Sequence, residues 1–520
     1  MRRERRQAAG HAWPLWWLIG LSVAVRLAVW AALPDRWEGR TGADVDLYKI
    51  ALRHHFWEYL VFEHTEPVGL NLLHAGVLAL FGDAGFSNAV MLAPAMAAGV
   101  LTAIFTYATA RRLGAPAALA VSVCAVYSLG LVPFEVWWRG WTLDHYTLGL
   151  VAFFAWALTG WVQDGRLRWS VLTAVAGGLL LLIQKVACVV VPTMVVAVAI
   201  LLQPGRLSRV RRMAIALSGP LLVSAVLIGK NALAHGIFAT SSLAGPNLAV
   251  FLYAAKGYDY DAVDAFAKQW NAPEWYRWCF QRARVHEASL GPSYGSCFVP
   301  EDPTQGPYDF EPLIRQAASL GEVRLAQLVE SDQQLFVERP YLQSFLAREV
   351  TPRFSAVYGS ISQRLYRTLA WREPLVFIRQ VVRSHYLYLV DGWRFLAFLA
   401  RDQAGLPYRG LLLVGAAGCF LLFMQGYLAA YLLGIRLLLV RWRRRNGSFG
   451  DVDRGLAVMV IGTATASGVL SLVCCENGRW FLQCTPYLVP LVAFVFHHVV
   501  WPAPAALPVD AGRRAVRGRP

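Results

Sequence analysis

Asp44 and Asp46 stand two residues apart in a polar stretch behind the first apolar segment, followed by His54, His55, His64 and Glu66. On a helix, positions two apart do not share a face. In an extended turn both carboxylates could meet one cation or one substrate. Further along come Trp137-Trp138-Arg139 leading to Asp144-His145, then Gln184-Lys185, Lys230-Asn231, and Glu476-Asn477 with Arg479. Each group sits at the end of an apolar run. Ionisable groups at membrane depth are costly and are functional candidates by default. A carboxylate can take the proton of an attacking hydroxyl as a general base, an effect worth roughly 10²–10⁴-fold. Fixed Arg and Lys can balance the charge on an anionic leaving group. Carboxylates and cations gathered at one membrane face suit a reaction on a lipid-borne anion.

Plainer roles compete for the same residues. Asp44 and Asp46 could be solvated loop carboxylates, and Glu66 could cap the helix behind Pro67. His54, His55 and His64 have the ordinary look of interfacial polar residues. Arg139 beside Trp137, Trp138 and Trp141 could be an interface anchor, with Asp144 as its ion-pair partner. Glu476 and Arg479 could pair locally, and Arg26 could snorkel or pair within a helix bundle. Lys185, between two short apolar runs, is harder to read as surface decoration.

The elements that must hold these groups follow from composition. The chain is 57% hydrophobic and 16% charged, against roughly 45–50% and about 25% for soluble domains. Mean hydropathy is +0.42. Disorder, a secreted disulfide scaffold and a simple soluble enzyme are excluded. The 49 Lys+Arg against 33 Asp+Glu leave +16. Much of that excess lies in clusters beside apolar segments: Arg2 to Arg6, Arg111-Arg112, Arg206 to Arg212, Arg441 to Arg445 and Arg513 to Arg519. The positive-inside rule produces this distribution; a basic stripe on one folded surface, as nucleic acid would need, is not indicated.

A helix needs about 20 apolar residues to cross the hydrocarbon, and about ten segments qualify. They are Trp13–Leu33, Phe86–Ala110, Pro116–Phe134, Leu143–Val162, Trp169–Leu182, Val186–Leu202, Met213–Ile228, Leu411–Val440, Leu456–Val473 and Phe481–Val500. The first resembles a signal peptide, but Arg26 and the membrane-bound remainder favour a retained anchor. The two runs flanking Gln184-Lys185 are short and suit a shallow pair. With the N-terminus cytoplasmic, alternation sorts every basic cluster to the cytoplasmic side, provided Pro67–Phe81 lies in the interface or re-enters. The expected fold is an all-α polytopic membrane protein with a mixed or mainly α extracytoplasmic insert. Residues 1–230 form an N-terminal transmembrane core with a first external loop at 34–85. Residues 231–409 form the insert, 410–502 the C-terminal transmembrane helices, and 503–520 a basic cytoplasmic tail.

Within the insert, Trp371–Ala400 mixes aromatic and apolar residues with Arg at intervals and is expected to lie along the membrane surface as an amphipathic helix. Cys279 and Cys297 are the cysteines that share the insert, where an external compartment would oxidise them. The others, among them Cys124, Cys188 and Cys484, lie in or beside apolar runs. No cysteine spacing suggests a zinc site. The Asp-Val-Asp spacing could hold a divalent cation through oxygen ligands, and a metal-free site built on Lys and Arg serves equally. The segment after Asp44 has weak helical order, with Leu47, Ile50, Ala51, Trp57 and Val61 on one expected face that His54 interrupts.

Residues 13–160 resemble the N-terminal half of the polytopic GT-C glycosyltransferases, a superfamily that includes protein O-mannosyltransferases and the aminoarabinose and galacturonic acid transferases of lipopolysaccharide. The likeness rests on the order of pieces: an Arg-bearing first span, Asp44-Val45-Asp46-Leu47-Tyr48, Glu66-Pro67-Val68-Gly69-Leu70 running into Leu78-Ala79-Leu80-Phe81-Gly82, and Ala110-Arg111-Arg112-Leu113-Gly114. Near the C-terminus, Glu476-Asn477-Gly478-Arg479-Trp480 with Pro486 and Pro490 resembles the last loop and helix of that family. Val45 separates two acidic residues that are often adjacent in relatives, and one proline, Pro67, stands where two are usual. Residues 231–409 match no named family.

The resemblance implies an inverting glycosyltransferase of the cytoplasmic (inner) membrane, multi-pass, with a periplasmic active site. It would move a sugar from a polyprenyl-phosphate carrier to a hydroxyl of a lipid, glycan or protein acceptor. Asp44, with Asp46 beside it, takes the position of the catalytic carboxylate. Arg139, Lys185, Lys230 and Arg479, with Glu476, Asp144, His64 and Glu66, form the candidate donor-phosphate and substrate set. A transporter or lipid-linked glycan flippase is the first alternative, although its usual midplane charges and repeated halves are not evident. A glycan polymerase or ligase is the second.

Overall fold

The computed structural model of the chain describes residues 2–32, 43–63, 68–86, 88–137, 143–184, 186–202, 206–241, 244–285, 311–343, 352–384, 426–444, 449–473 and 484–500. Among these residues every regular element is helical and there is no strand. The first group comprises α1 (Arg2–Ala32), α2 (Ala43–His54), α3 (Phe56–Phe62), α4 (Gly69–Phe81), α5 (Asn88–Arg112), α6 (Ala117–Trp137), α7 (Leu143–Asp164), α8 (Leu167–Ile183), α9 (Ala187–Leu202) and α10 (Arg206–His235). The insert contributes α11 (Ala244–Ala255), α12 (Tyr260–Gln269), α13 (Glu274–Val285), α14 (Glu311–Ser319), α15 (Val323–Glu338) and α16 (Pro352–Arg372), continued by a helix at 374–384. The chain returns to the bundle with α17 (Gly426–Arg444), α18 (Asp451–Val473) and α19 (Thr485–Val495).

The long apolar helices share one core. α5 packs on α7, α7 on α8 and α8 on α10, while α18 crosses α7 and α9 and α19 joins α5, α17 and α18. Trp161, Phe154, Tyr127, Met194, Leu456 and Phe494 are buried at the centre. α7 over Tyr146–Asp164 and α10 over Arg209–His235 are each long and apolar enough to cross a membrane; α8 and α9 are shorter apolar helices. At 17 and 16 residues they measure roughly 25 Å each at 1.5 Å per residue, short of the hydrocarbon thickness. α8 meets α10 through small residues: a Cβ added to Gly219 would lie 2.1 Å from the Ala174 carbonyl oxygen. This close backbone approach is the way helices pack where no water drives association. Leu221, Leu222 and Val226 of α10 remain exposed, as lipid-facing residues should.

Arg112, Arg212 and Arg441, from three of the basic clusters, share one end of this bundle. Arg112 at the end of α5 lies 3.6 Å from Asp164 at the end of α7 and stacks 4.3 Å over the Trp169 ring. Gln163 donates to the carbonyl of Asp451 at the start of α18. Arg441 pairs at 2.9 Å with Asp453, which is buried. Arg212 near the start of α10 crowds Gly165. Arg26 marks the opposite direction of α1: it is buried, donates to Ser22 and Ser128, and lies against Gly99. It pairs within the bundle.

The insert has its own core, built from Phe251, Trp275, Tyr276, Phe280, Leu313, Val329, Phe354 and Tyr358 among others. Asp259 caps α12 by accepting from Asp261 and Ala262 backbone N–H groups, and Asp332 does the same for α16 through Arg353 and Phe354. Arg277 and Asp264 form a two-pronged ion pair at 2.7 and 3.1 Å. Cys279 is disulfide-bonded; Cys297 lies outside the described residues. The insert is thus α throughout its described part. Trp371, Leu375, Ile378 and Val382 are exposed on one stripe at spacings of three and four, while Val376, Phe377 and Val381 pack inward. The helix at 374–384 is thus amphipathic; the rest of the expected stretch to Ala400 lies outside the described residues.

Candidate functional site

The end of the bundle remote from the basic clusters is built from short elements. α2 and α4 lie against each other, α3 meets α10, and the N-terminus of α4 abuts the end of α8. At that last contact a Cβ on Gly69 would lie 2.3 Å from the Leu182 carbonyl oxygen. α4 is 13 residues long, roughly 20 Å, so it does not reach across a bilayer. α2 ends at His54 and α3 begins at Phe56. That break corrects one expectation. Ile50, Trp57 and Val61 are exposed, and the inward stripe is Tyr48, Ala51, Leu52, Tyr59 and Leu60. The direction changes at His55, so a single face does not continue from α2 into α3.

Between these elements lies a buried polar cluster. The Tyr48 hydroxyl donates to Asn71 Oδ1 at 2.9 Å and lies 2.9 Å from His74 Nδ1. A phenol has one proton, so with that proton on Asn71 the ring nitrogen of His74 is the donor to Tyr48. Burial pushes the His74 pKa down to about 4, keeping the ring neutral near pH 7. Burial, and then the nearby Glu63 carboxylate, hold the Tyr48 phenol well above its usual range. Tyr59 donates to Glu63 Oε2 at 3.4 Å, and Glu63 is fully buried.

α10 fixes the same corner. Lys230 Nζ donates to the backbone oxygens of Val61 and Glu63, and His235 Nε2 lies 3.0 Å from the Phe62 oxygen. These are the carbonyls that α3 leaves without an intrahelical partner at its C-terminus. A cation there also complements the helix dipole. Lys230 therefore holds the point from which residues 64–67 depart.

The insert closes on the outer side. Phe336, Tyr341 and Leu342 join Tyr48, Ala51, Leu52, Tyr59, Val77 and Leu78 in one apolar cluster. Arg339 forms an ion pair with Glu58 and the Tyr341 ring stacks on His55 at 4.0 Å. Hydrogen bonds from Tyr341 and then Arg339 hold the Glu58 carboxyl below its ordinary range. On the far side, Tyr366 donates to the carbonyl of Leu472, near the end of α18.

Few of the candidates from sequence have described side chains. Asp46 is exposed on α2 and lies 3.3 Å from Lys49. Asp44 is the second residue of α2 and Asp144 the second of α7; their side chains lie outside the described residues. So do Arg139, between α6 and α7, Lys185, between α8 and α9, His64 and Glu66, between α3 and α4, and Glu476 and Arg479, between α18 and α19. In chain order these positions fall at helix ends or in connections between helices; the pole of α2–α4 is described through other residues. Tyr48, Glu63, Asn71 and His74 carry the buried polar contacts there, and none was singled out from sequence as a site residue. Among the described residues no three His, Cys, Asp or Glu side chains group as for a metal ion.

Residues 65–229 match the dolichyl-phosphate-mannose-protein mannosyltransferase family. The matched stretch covers less than half of the chain. It begins before α4 and ends within α10, so it contains Glu66, Arg139, Asp144 and Lys185 and stops one residue before Lys230. Asp44, Asp46, His64, Glu476 and Arg479 lie outside it. No curated protein matches the chain. The family match supports a membrane glycosyltransferase that draws on a lipid-linked sugar.

Proposed function

We propose that the chain is an inverting glycosyltransferase of the cytoplasmic membrane, which moves one sugar from a polyprenyl-phosphate carrier to an acceptor hydroxyl on the external face. The observation that carries this reading is the match of residues 65–229 to a family named for a lipid-phosphate sugar donor. Two features of the fold support its finer points. Arg112, Arg212 and Arg441 gather at the pole opposite α2–α4, so the positive-inside rule directs the α2–α4 pole outward. The insert at that pole contains disulfide-bonded Cys279, as suits an oxidising compartment.

In this reaction the acceptor oxygen attacks the anomeric carbon while the bond from that carbon to the phosphate oxygen breaks. Asp44 or Asp46 takes the hydroxyl proton. The lipid phosphate leaves already ionised, so it needs cations rather than an acid. Arg139, Lys185 and Arg479 are assigned to that role. Lys230 is assigned to positioning, since its ammonium holds the α3 carbonyls. A single direct displacement inverts the anomeric centre. The acceptor, whether lipid, glycan or protein, is reached from the side of the insert.

The test uses full-length protein in nanodiscs, polyprenyl-phosphate donors carrying different labelled sugars, and an envelope extract as acceptor. Wild type should transfer one of the sugars. Asn at position 44 or 46 should lower the rate by about 10²–10⁴-fold, the usual worth of a general base. Failure of every donor, with an unchanged cellular glycan profile in Asp44→Asn and Asp46→Asn strains, would overturn the reading.

A further inference from the structure

The helix pair α8–α9 breaks at Gln184, whose side chain is 2% exposed. Neither its Nε2 nor its Oε1 has a hydrogen-bond partner, and it is the one described residue with a buried amide unpartnered at both atoms. Two more buried groups at this corner share the condition. They are Asn71 Nδ2 on α4, in a residue 0% exposed, and the Tyr146 hydroxyl on α7, in a residue 7% exposed. Leu70, Leu73, Ala98, Tyr146 and Ile183 pack together in one small cluster. Asn71 and Gln184 are each the next residue to a member of it. The approach of Gly69 to Leu182 locks α4 to the end of α8 at the same point.

Buried donors and acceptors in native folds are nearly always paired. Here three residues on three elements, each in or next to one small apolar cluster, keep buried polar atoms without a partner. Asn71 is already oriented, because its Oδ1 accepts from Tyr48. Its amide cannot turn to satisfy Nδ2 without giving that bond up. The chemistry of the set is also particular. Two carboxamides and a phenol carry no charge. Each amide offers both donors and an acceptor, and the phenol can act as either. That inventory suits paired hydroxyls on a neutral ring and offers no cation to balance a phosphate.

We infer that Asn71, Tyr146 and Gln184 form the recognition subsite for the neutral sugar of the lipid-linked donor. The inference rests on the glycosyltransferase reading and adds the place where the sugar is read. The hydroxyls of the donor's sugar take up the three unpaired groups.

The test compares binding of farnesyl phosphate with binding of its mannosyl, glucosyl and galactosyl esters to full-length protein in nanodiscs. Thermal unfolding of the unliganded protein is recorded in parallel. The variants are Gln184→Met, Asn71→Leu and Tyr146→Phe, the last removing a single oxygen. Wild type should bind one sugar ester at least tenfold more tightly than farnesyl phosphate. Gln184→Met and Tyr146→Phe should erase most of that difference, leave the affinity for farnesyl phosphate unchanged, and unfold no earlier than wild type. If they unfold earlier and keep the wild-type preference for the sugar ester, the three groups are structural and the inference is overturned. Equal wild-type affinity for farnesyl phosphate and all three esters would overturn it as well, while leaving a lipid-phosphate site in place. A wild-type protein that binds none of the four lipids would overturn the glycosyltransferase reading itself.

Discussion

His74 sits buried on α4 with its ring 2.9 Å from the Tyr48 hydroxyl, and burial lowers its pKa to about 4. In the unfolded chain the same ring titrates near its ordinary value of about 6.5. Between those values the unfolded state binds the extra proton, so stability rises with pH. The contribution from keeping this ring neutral is therefore present above pH 6.5 and drains away as pH falls toward 4. Thermal unfolding followed from pH 7 to pH 4 should show the midpoint dropping across that interval. His74→Gln retains a donor for Tyr48 and removes the titration, so its midpoint should drop less; an equal drop would assign the pH dependence elsewhere. Little at this scale was legible beforehand. Asp44 and Asp46 stood out because of their place in an ordered series of motifs. Tyr48, Glu63, Asn71 and His74 did not, because what buries them is packing between α2, α3 and α4, and neither pattern nor charge reports that. Lys230 was picked out as a cation near a helix end. Its engagement with the carbonyls of α3 depends on a contact between residues about 170 positions apart, which no local spacing encodes.

Long apolar helices were the most legible elements. α5 through α9 begin and end within a few residues of the hydrophobic runs, since a bilayer demands a minimum apolar length and little else produces it. α10 continues past its apolar run to His235, because its last turn is paid for by contacts with α3 rather than by lipid. The short helices were less legible. α2 and α3 looked like one amphipathic stretch, and their separation at His55 follows from the stacking of Tyr341 and the docking of the insert on that corner. The joint between α4 and α8 carries the sharpest consequence. Gly69 leaves no room for a methyl group against the Leu182 carbonyl. Gly69→Ala should push α4 off α8, costing about 1–3 kcal/mol as overpacking does, and should slow sugar transfer along with it. The check is paired: unfolding midpoint and transfer rate on the same preparation. A variant as stable and as active as wild type would show that the two helices are not held in register at this point.

At the scale of the molecule, two bodies of helices meet over one pole of a membrane bundle. Among the described residues the insert meets that pole through Phe336, Tyr341 and Leu342 on α2–α4 and through Tyr366 at the end of α18, which α11 also touches. Those contacts bring the region after Asp44 and the region before Glu476 under a single cover. Charge clustering in the sequence pointed to this two-poled arrangement, because basic loops sort to one side. Of the insert's fold, its mainly α character was within the expectation, whereas the packing of its core was not. Its core draws on Phe251, Trp275, Tyr276, Phe354 and Tyr358, aromatic residues spread over more than a hundred positions.

The claim that unites these scales is that the aspartates of α2 and the Glu476–Arg479 turn face the same compartment, away from the arginines. Single cysteines at positions 46 and 478, and at 166 and 447, can be tested with a membrane-impermeant maleimide on sealed vesicles of known orientation, in a background lacking the accessible native thiols. Positions 46 and 478 should react from the outside and be protected from the inside, with 166 and 447 behaving in the opposite way. Reaction of 46 and 478 from opposite sides would contradict the account.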